Sequence, residues 1–202
     1  MTPAKTSTYQ SANYNKWEFK NGLYQKHLEL YLNRMSAHLQ SAEVASVLDA
    51  GCGEGVVYRA MRKRGFAGSW SGFDFNGNAA AFAAQLSPEC EWRQADIFQL
   101  PYESGSVDLV FCSEVLEHVP NPELALAELA RVSRRWLLIS VPCEPVFRIL
   151  TRISITLRLG GDPGHVNFWR PAEFRKFVSQ AGELKAWERT TIYQIALIDL
   201  NK

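Results

Sequence analysis

The chain has 202 residues, 47% of them hydrophobic and 21% charged, which is the composition of an ordinary globular domain with one sizeable core. Lys and Arg number 22 against 21 Asp and Glu, a formal net charge of +1, so the overall balance does not make nucleic acid the expected partner. The first residues carry no apolar run of signal-peptide type, and no stretch offers the roughly 20 apolar residues of a membrane span, so cytoplasmic placement is the expectation.

Residues 1 to 12 are rich in Ser, Thr and Gln, whereas Tyr14 to Leu39 mixes aromatics and leucines with charges. Leu28, Leu32, Met35 and Leu39 recur at helical spacing and predict a helix from about Trp17 to Leu39, inside a helical leader covering residues 1–43. The next stretch is the one around which the chain is organised. Ala45, Val47 and Leu48 suit a buried parallel strand, and Asp49-Ala50-Gly51-Cys52-Gly53-Glu54-Gly55 then places three glycines at alternate positions. Glycines let the backbone turn sharply and put no Cβ between it and a ligand. Val56 to Arg64 carries apolar residues at helical spacing and ends in basic residues before Gly65. Strand, turn and helix make half of a βαβ nucleotide-binding unit. A dinucleotide fingerprint would need Gly or Ala three residues after Gly53, and Val56 stands there instead, which weakens an NAD reading.

This stretch resembles motif I of the class I S-adenosylmethionine-dependent methyltransferases, an apolar strand followed by Asp-x-Gly-x-Gly-x-Gly. The resemblance implies S-adenosyl-L-methionine as cofactor, with Asp49, Gly51, Gly53 and Gly55 near its methionine end. In that family a helical leader commonly packs over the cofactor mouth, which makes Tyr14 and Trp17 either lid residues or an aromatic staple onto the domain.

A second unit begins at Ser69-Trp70-Ser71-Gly72-Phe73-Asp74-Phe75, with an alanine-rich helix from Asn78 to Leu86. In an open parallel sheet, ligands sit beyond the carboxyl ends of the strands, where an acid can accept both ribose hydroxyls of a nucleoside. The resemblance implies that role for Asp74, although NAD enzymes place an acid similarly. Glu91 to Ile97 is a short strand ending in an acid and an apolar residue, similar to the family's adenine-binding element. Asp96 would accept from the exocyclic amine, Ile97 and Phe75 would cover the ring faces, and the Ile97 amide would face the ring nitrogen.

Ser106 to Cys112 reads as a buried strand, and Ser113-Glu114-Val115-Leu116-Glu117-His118-Val119-Pro120 follows its carboxyl end, where the transferable methyl group should point. Asn121-Pro122-Glu123 opens a helix over Leu124 to Val132, and Trp136 to Val141 forms a fifth strand stopped by Pro142. Within the family this order and this loop look like the subgroup of small-molecule and lipid-quinone methyltransferases. No Asn-Pro-Pro-Tyr-like loop for base-amino methylation follows the fourth strand. Cys52, Cys90, Cys112 and Cys143 stand far apart without C-x-x-C spacing, against a zinc knuckle or a disulfide framework. A cytosine-C5 thiolate at Cys143 remains a remote rival.

Beyond Pro142 the alternation breaks. Val146, Ile149, Leu150, Ile153 and Leu157 recur at helical spacing, with Arg148 and Arg152 on another face and no acid between Glu144 and Asp162. Residues 143–169 are therefore expected as a lid-like insertion whose 146–159 segment either meets a membrane peripherally or simply docks on the core. After a turn through Gly160 to Gly164, Arg170-Pro171 starts a helix running to Gln180. Glu183 to Arg189 and Thr190 to Leu200 read as two antiparallel edge strands. The expected whole is a single α/β methyltransferase domain over residues 1–202: a doubly wound, seven-stranded, mostly parallel, Rossmann-like sheet with an antiparallel C-terminal strand.

The loop after the fourth strand carries the chemistry. On a helical turn Glu114 and Glu117 stand at i and i+3, and Glu114 and His118 at i and i+4, so all three can face one way. Some quinone-biosynthetic O-methyltransferases and small-RNA 2′-hydroxyl methyltransferases look similar here, with a later histidine, His165 in this chain, completing a divalent metal site. The reading preferred from sequence uses no metal, with His118, Glu114 and His165 as base or acceptor-orienting groups. The expected activity is methyl transfer from S-adenosylmethionine to a hydroxylated small molecule, lipophilic if the 146–159 segment serves it. The alternatives are a catalytically silent methyltransferase-fold binding subunit and a metal-dependent 2′-hydroxyl RNA-type enzyme. The sequence names neither the acceptor nor the oligomeric state.

Overall fold

The computed structural model describes residues 22–156 and 164–202. Tyr14, Trp17 and the Gly160 to Pro163 turn lie outside them. In chain order the elements are α1 (Gly22–Ser41), β1 (Ser46–Ala50), α2 (Val56–Lys63), β2 (Ser69–Asp74), α3 (Gly77–Leu86), β3 (Glu91–Gln94), β4 (Val107–Ser113), α4 (Pro122–Val132), β5 (Ser133–Pro142), α5 (Val146–Thr156), α6 (Pro171–Val178), β6 (Glu183–Arg189) and β7 (Tyr193–Asp199). The seven strands form one sheet in the order β3-β2-β1-β4-β5-β7-β6. All neighbouring pairs are parallel except β5 with β7 and β6 with β7. The doubly wound, mostly parallel sheet read from the sequence is therefore the one observed.

Because side chains alternate across a strand, each central strand feeds two cores. Val110 and Cys112 of β4 join Leu48, Leu137 and Ile139 beneath Leu126 and Leu129 of α4 and Phe174 and Phe177 of α6. Leu109 and Phe111 join Val47, Leu138 and Ile195 beneath Tyr31, Leu32 and Met35 of α1 and Tyr58 and Met61 of α2. The stripe of Leu28, Leu32, Met35 and Leu39 is buried as its spacing requires.

Expecting both last strands at the edge is corrected in one respect. Of these two strands only β6 is at an edge, and β7 is inserted between it and β5 with every residue buried. The apolar run Ile195-Ala196-Leu197-Ile198 is the mark of a strand covered on both faces. Among the described residues no helix is long and apolar enough to cross a membrane.

The strand order reverses between β1 and β4, so the two chains leaving these strands diverge and open a crevice at their carboxyl ends. There Ala50 is paired with Phe73 of β2 on one side and Cys112 of β4 on the other. Everything functional in the sequence converges on this end of the sheet.

Candidate active site

The glycine turn leaves β1 by hooking over β2. The amides of Gly51 and Cys52 both donate to the Phe73 carbonyl, at 2.9 Å each. Gly51, Gly53 and Gly55 have φ of 74°, 51° and 68°, the left-handed region that side chains with a Cβ enter only at a cost. What surrounds each one differs. A Cβ on Gly51 would overlap Val115, and one on Gly55 would lie 3.2 Å from Trp92 and 3.3 Å from Ala83. A Cβ on Gly53 would meet nothing within 4 Å. Two of the three glycines let the loop pack, and the middle one faces open space.

Asp74, at the end of β2, closes on this turn. Its Oδ2 accepts from the Gly53 amide at 2.8 Å, and its Oδ1 accepts from the Asn76 amide at 2.8 Å. Each oxygen has a second lone pair, so the carboxylate is fixed in place and can still accept from a ligand. Asn76 caps α3 by accepting from the Asn78 amide at 3.1 Å. The next residue after Asp74 is Phe75, whose ring is 78% exposed beside an open depression shared with Asn76, Gly77, Asn78 and Gln94. Asp96, past the end of β3, is exposed and accepts from the Phe98 amide at 2.9 Å. The Ile97 side chain is only 8% exposed and packs into the core, which leaves its backbone amide, rather than its side chain, for an adenine.

Asp49 lies beneath the glycine turn, 2% exposed. Burial, with the nearby charge of Asp74 adding to it, pushes its carboxyl up to about 7. The indole N–H of Trp70 opposes this only in part, because neither it nor Asp49 Oδ2 reaches hydrogen-bonding geometry with any described residue.

On the other side of the crevice, the loop after β4 is not the helical turn that the i, i+4 argument assumed. Glu114 has φ 58°, its amide donates to the Ser140 carbonyl at 3.0 Å, and its Oε1 accepts from Ser140 Oγ at 3.4 Å. Only then does a single 3₁₀ turn, Leu116–His118, begin. The left-handed residue rotates Glu114 toward β5, away from the pair that follows it. Glu117 is almost fully buried, and its Oε1 lies 3.9 Å from Nε2 of the more exposed His118.

His165 reaches this turn because its segment is stitched to it. The amides of Val166 and Asn167 donate to the Glu117 carbonyl at 2.8 and 3.0 Å. Asn167 Nδ2 donates to the Leu116 and Val119 carbonyls at 2.9 and 2.6 Å. His118 and His165 then meet edge to face, centroids 4.7 Å apart, with Phe147 stacked 5.0 Å from His165. One ligand atom from each of Glu117, His118 and His165 lies within 4.8 Å of the others, and Glu114 is not in that group. Of the preferred set His118, Glu114 and His165, the two histidines meet and Glu114 stands apart from their group, while Glu117 joins them. Asn167 and Phe147, which assemble them, were not read from the sequence; an Asn two residues after the histidine in a Gly-rich turn was the available signal.

The comparisons agree with this geometry. Residues 48–136 match a family model described as a methyltransferase domain. A ubiquinone biosynthesis O-methyltransferase of Acinetobacter baylyi is 28% identical over 186 residues, covering 81% of this chain and 73% of that protein. Its counterpart in Psychrobacter arcticus is 31% identical over 172 residues, 72% of this chain but only 63% of that protein, so the chain spans less than two thirds of that relative. In fold, the chain superposes on magnesium protoporphyrin IX methyltransferase from Synechocystis, solved with S-adenosylhomocysteine bound, with TM-score 0.70 and 19% identity over 94% of both chains. A Pyrococcus horikoshii protein gives TM-score 0.72 at 15% identity, over 94% of this chain and 99% of that one. Residues 48–136 thus match a methyltransferase domain, and in the motif at Asp49 to Gly55, the sheet order and these relatives the chain is similar to the class I S-adenosylmethionine-dependent methyltransferases.

Proposed function

We propose that this methyltransferase acts on the hydroxyl group of a lipophilic small molecule held between the glycine turn and the histidine pair. The observation that carries the reading is the meeting of Glu117, His118 and His165 at the carboxyl end of β4, beside the crevice where the cofactor binds. A hydroxyl is a poor nucleophile near neutral pH, and an imidazole in reach of it supplies the base that the chemistry needs. The ubiquinone O-methyltransferase relatives support an oxygen acceptor.

The chain's residues fit the cofactor as follows. Asp74, already anchored by two backbone amides, accepts from the ribose hydroxyls. Asp96 accepts from the adenine amine, and the exposed Phe75 ring covers one face of the base. The open side of Gly53 admits the methionine arm above Asp49. The bound cofactor supplies a methyl group activated by its sulfonium. The protein's task is then to align the acceptor in line with that methyl group and to exclude water. His118 receives the acceptor's proton, while His165, backed by Phe147, holds the ring that borders it.

Residues 143–156 and 164–169 are read as the cover of a single domain. The α5 helix presents exposed Ile149 and Leu150, and Val166 and Phe168 are exposed beside the histidines. Arg148 lies 5.7 Å over the Phe168 ring. This combination of apolar and basic groups suits a cytoplasmic enzyme that meets an anionic membrane surface peripherally and takes a lipophilic acceptor from it.

A second reading keeps the same acceptor and adds a divalent ion at Glu117, His118 and His165, whose spacing admits one and which would polarise the acceptor oxygen. S-adenosylhomocysteine release from catechol-bearing acceptors, with and without EDTA, tests both. The imidazole reading expects activity that survives chelation and falls at least about a hundredfold in His118→Ala. Activity abolished by EDTA and restored by Mg²⁺ or Mn²⁺ replaces it with the metal reading. Full activity in His118→Ala refutes both roles for that residue.

A further inference from the structure

Behind Glu114 lies a group of three hydroxyls that no role above uses. Tyr31, on the inner face of α1 and 1% exposed, places its hydroxyl 2.5 Å from Ser113 Oγ and 2.6 Å from Ser140 Oγ. These serines end β4 and line β5, and the tyrosine ring packs against Tyr193 with centroids 4.7 Å apart. Ser140 Oγ is 3.4 Å from Glu114 Oε1 and 3.5 Å from Ser113 Oγ.

Each hydroxyl has one proton to give, which fixes the direction of the chain. Ser140 gives its proton to Glu114 Oε1, the shorter of its two outgoing contacts at 3.4 Å against 3.5 Å to Ser113 Oγ. Ser140 then accepts from Tyr31, and Tyr31 accepts from Ser113. All three protons point along one path, from Ser113 through Tyr31 and Ser140 to Glu114, an arrangement in which each bond polarises the next. Burial, and the charge of Glu114 beside it, push the Tyr31 phenol well above its ordinary range, so it stays a donor. Glu114 itself keeps a left-handed backbone that a residue with a Cβ holds only when its surroundings over-determine it. Ser140 does so twice, accepting from the Glu114 amide through its carbonyl and donating to the carboxylate through its hydroxyl.

We propose that Tyr31 is a positioning residue for methyl transfer: through Ser140 it fixes the Glu114 carboxylate at the carboxyl end of β4, where it aligns the acceptor. The catalytic consequence adds an acceptor-orienting role for Glu114 to the reading under Proposed function and rests on that reading, but the hydrogen-bond coupling does not. If the three hydroxyls only satisfied one another, Glu114 would be indifferent to losing the phenol.

Tyr31→Phe keeps the ring and its packing on Tyr193, and Ser140→Ala removes the last link directly. In protein labelled with carbon-13 at the glutamate carboxyls, the Glu114 resonance is identified by its loss in Glu114→Gln. At one neutral pH, that resonance moves in both Tyr31→Phe and Ser140→Ala while other glutamates well away from it stay in place. In parallel, with catechol as probe acceptor, kcat for S-adenosylhomocysteine release falls about tenfold in Tyr31→Phe, the loss expected for one hydrogen bond, at unchanged KM for S-adenosylmethionine. A Glu114 resonance unmoved in a folded Tyr31→Phe overturns the proposal. Should Tyr31→Phe not fold, an unmoved resonance in Ser140→Ala overturns it. A wild type that leaves catechol and related acceptors unmethylated, yet shows the coupled resonance, fails the acceptor reading and not this one.

Discussion

The three glycines of the turn share a backbone conformation but not a role, and substituting alanine separates the roles. At Gly53 the φ of 51° costs an alanine about 1–2 kcal/mol, the ordinary strain of a left-handed residue. The new Cβ touches no protein atom within 4 Å, so nothing adds to that cost. For a domain of this size each 1 kcal/mol moves the unfolding midpoint by roughly 2–4 °C, so the cofactor-free Gly53→Ala protein should melt about 2–8 °C below wild type. The methyl group does, however, occupy space proposed for the cofactor's methionine arm. Overpacking typically costs about 1–3 kcal/mol, which weakens S-adenosylhomocysteine binding by roughly 5- to 150-fold. At Gly51 the pattern inverts. There the same backbone strain is joined by overlap with Val115, and the combined cost of about 2–5 kcal/mol falls on stability. Thermal unfolding without ligand and calorimetric titration with S-adenosylhomocysteine measure the two quantities separately. Gly53→Ala protein that binds the ligand as wild type does, or that melts as low as Gly51→Ala, refutes the placement of the cofactor over Gly53.

Replacing Asp74 by Ala removes a charged acceptor worth about 1.5–3 kcal/mol per hydrogen bond, so calorimetry should show S-adenosylhomocysteine affinity lower by at least tenfold; unchanged affinity refutes the ribose role. Asp49 sets a pH dependence of stability. Its folded pKa, about 7, lies above the 3.8 of an ordinary aspartate, so its contribution is fully present below the lower value and is lost as pH rises through the higher one. The loss is on the order of 4 kcal/mol at most, and Asn at this position removes it. Denaturant titrations of the cofactor-free protein across that window should show a shallower fall for Asp49→Asn, and equal slopes in the two proteins count against the buried carboxylate. Anionic vesicles should retain the wild-type protein in flotation, and alanine at both Arg148 and Arg152 should weaken retention about 30-fold, at roughly 1 kcal/mol per arginine; wild type that does not float leaves those arginines without a membrane role.

What the sequence disclosed is what local chemistry determines. Val47 and Leu48 followed by alternate glycines specify a strand and a turn whatever the rest of the chain does, and Asp74 and Asp96 could be placed because strand ends are visible as the end of an apolar run. The position of β7 was also written locally, in the unbroken apolar run from Ile195 to Ile198, but pairing partners are set by the whole sheet. Which edge a strand takes depends on residues far away in sequence.

The loop after β4 shows where local rules stop. The spacing of Glu114, Glu117 and His118 puts them on one face only if the backbone is helical throughout, and Glu114 is left-handed. Nothing in Ser113-Glu114-Val115 announces that, because the cause lies on β5, where the Ser140 carbonyl takes the Glu114 amide. The same holds for His165, which is brought to His118 by Asn167 bonds to two carbonyls of the turn, and for Tyr31, which lies outside the Leu28, Leu32, Met35 and Leu39 stripe read in α1. In each case the residue that carries the chemistry is legible and the residue that aims it is not. Aiming is done by long-range hydrogen bonds between a side chain and a distant strand end, and these leave no periodicity to read. The rotation of Glu114 also divides the four residues: its carboxylate is tied to Ser140 of β5, while Glu117, His118 and His165 stay together at the 3₁₀ turn.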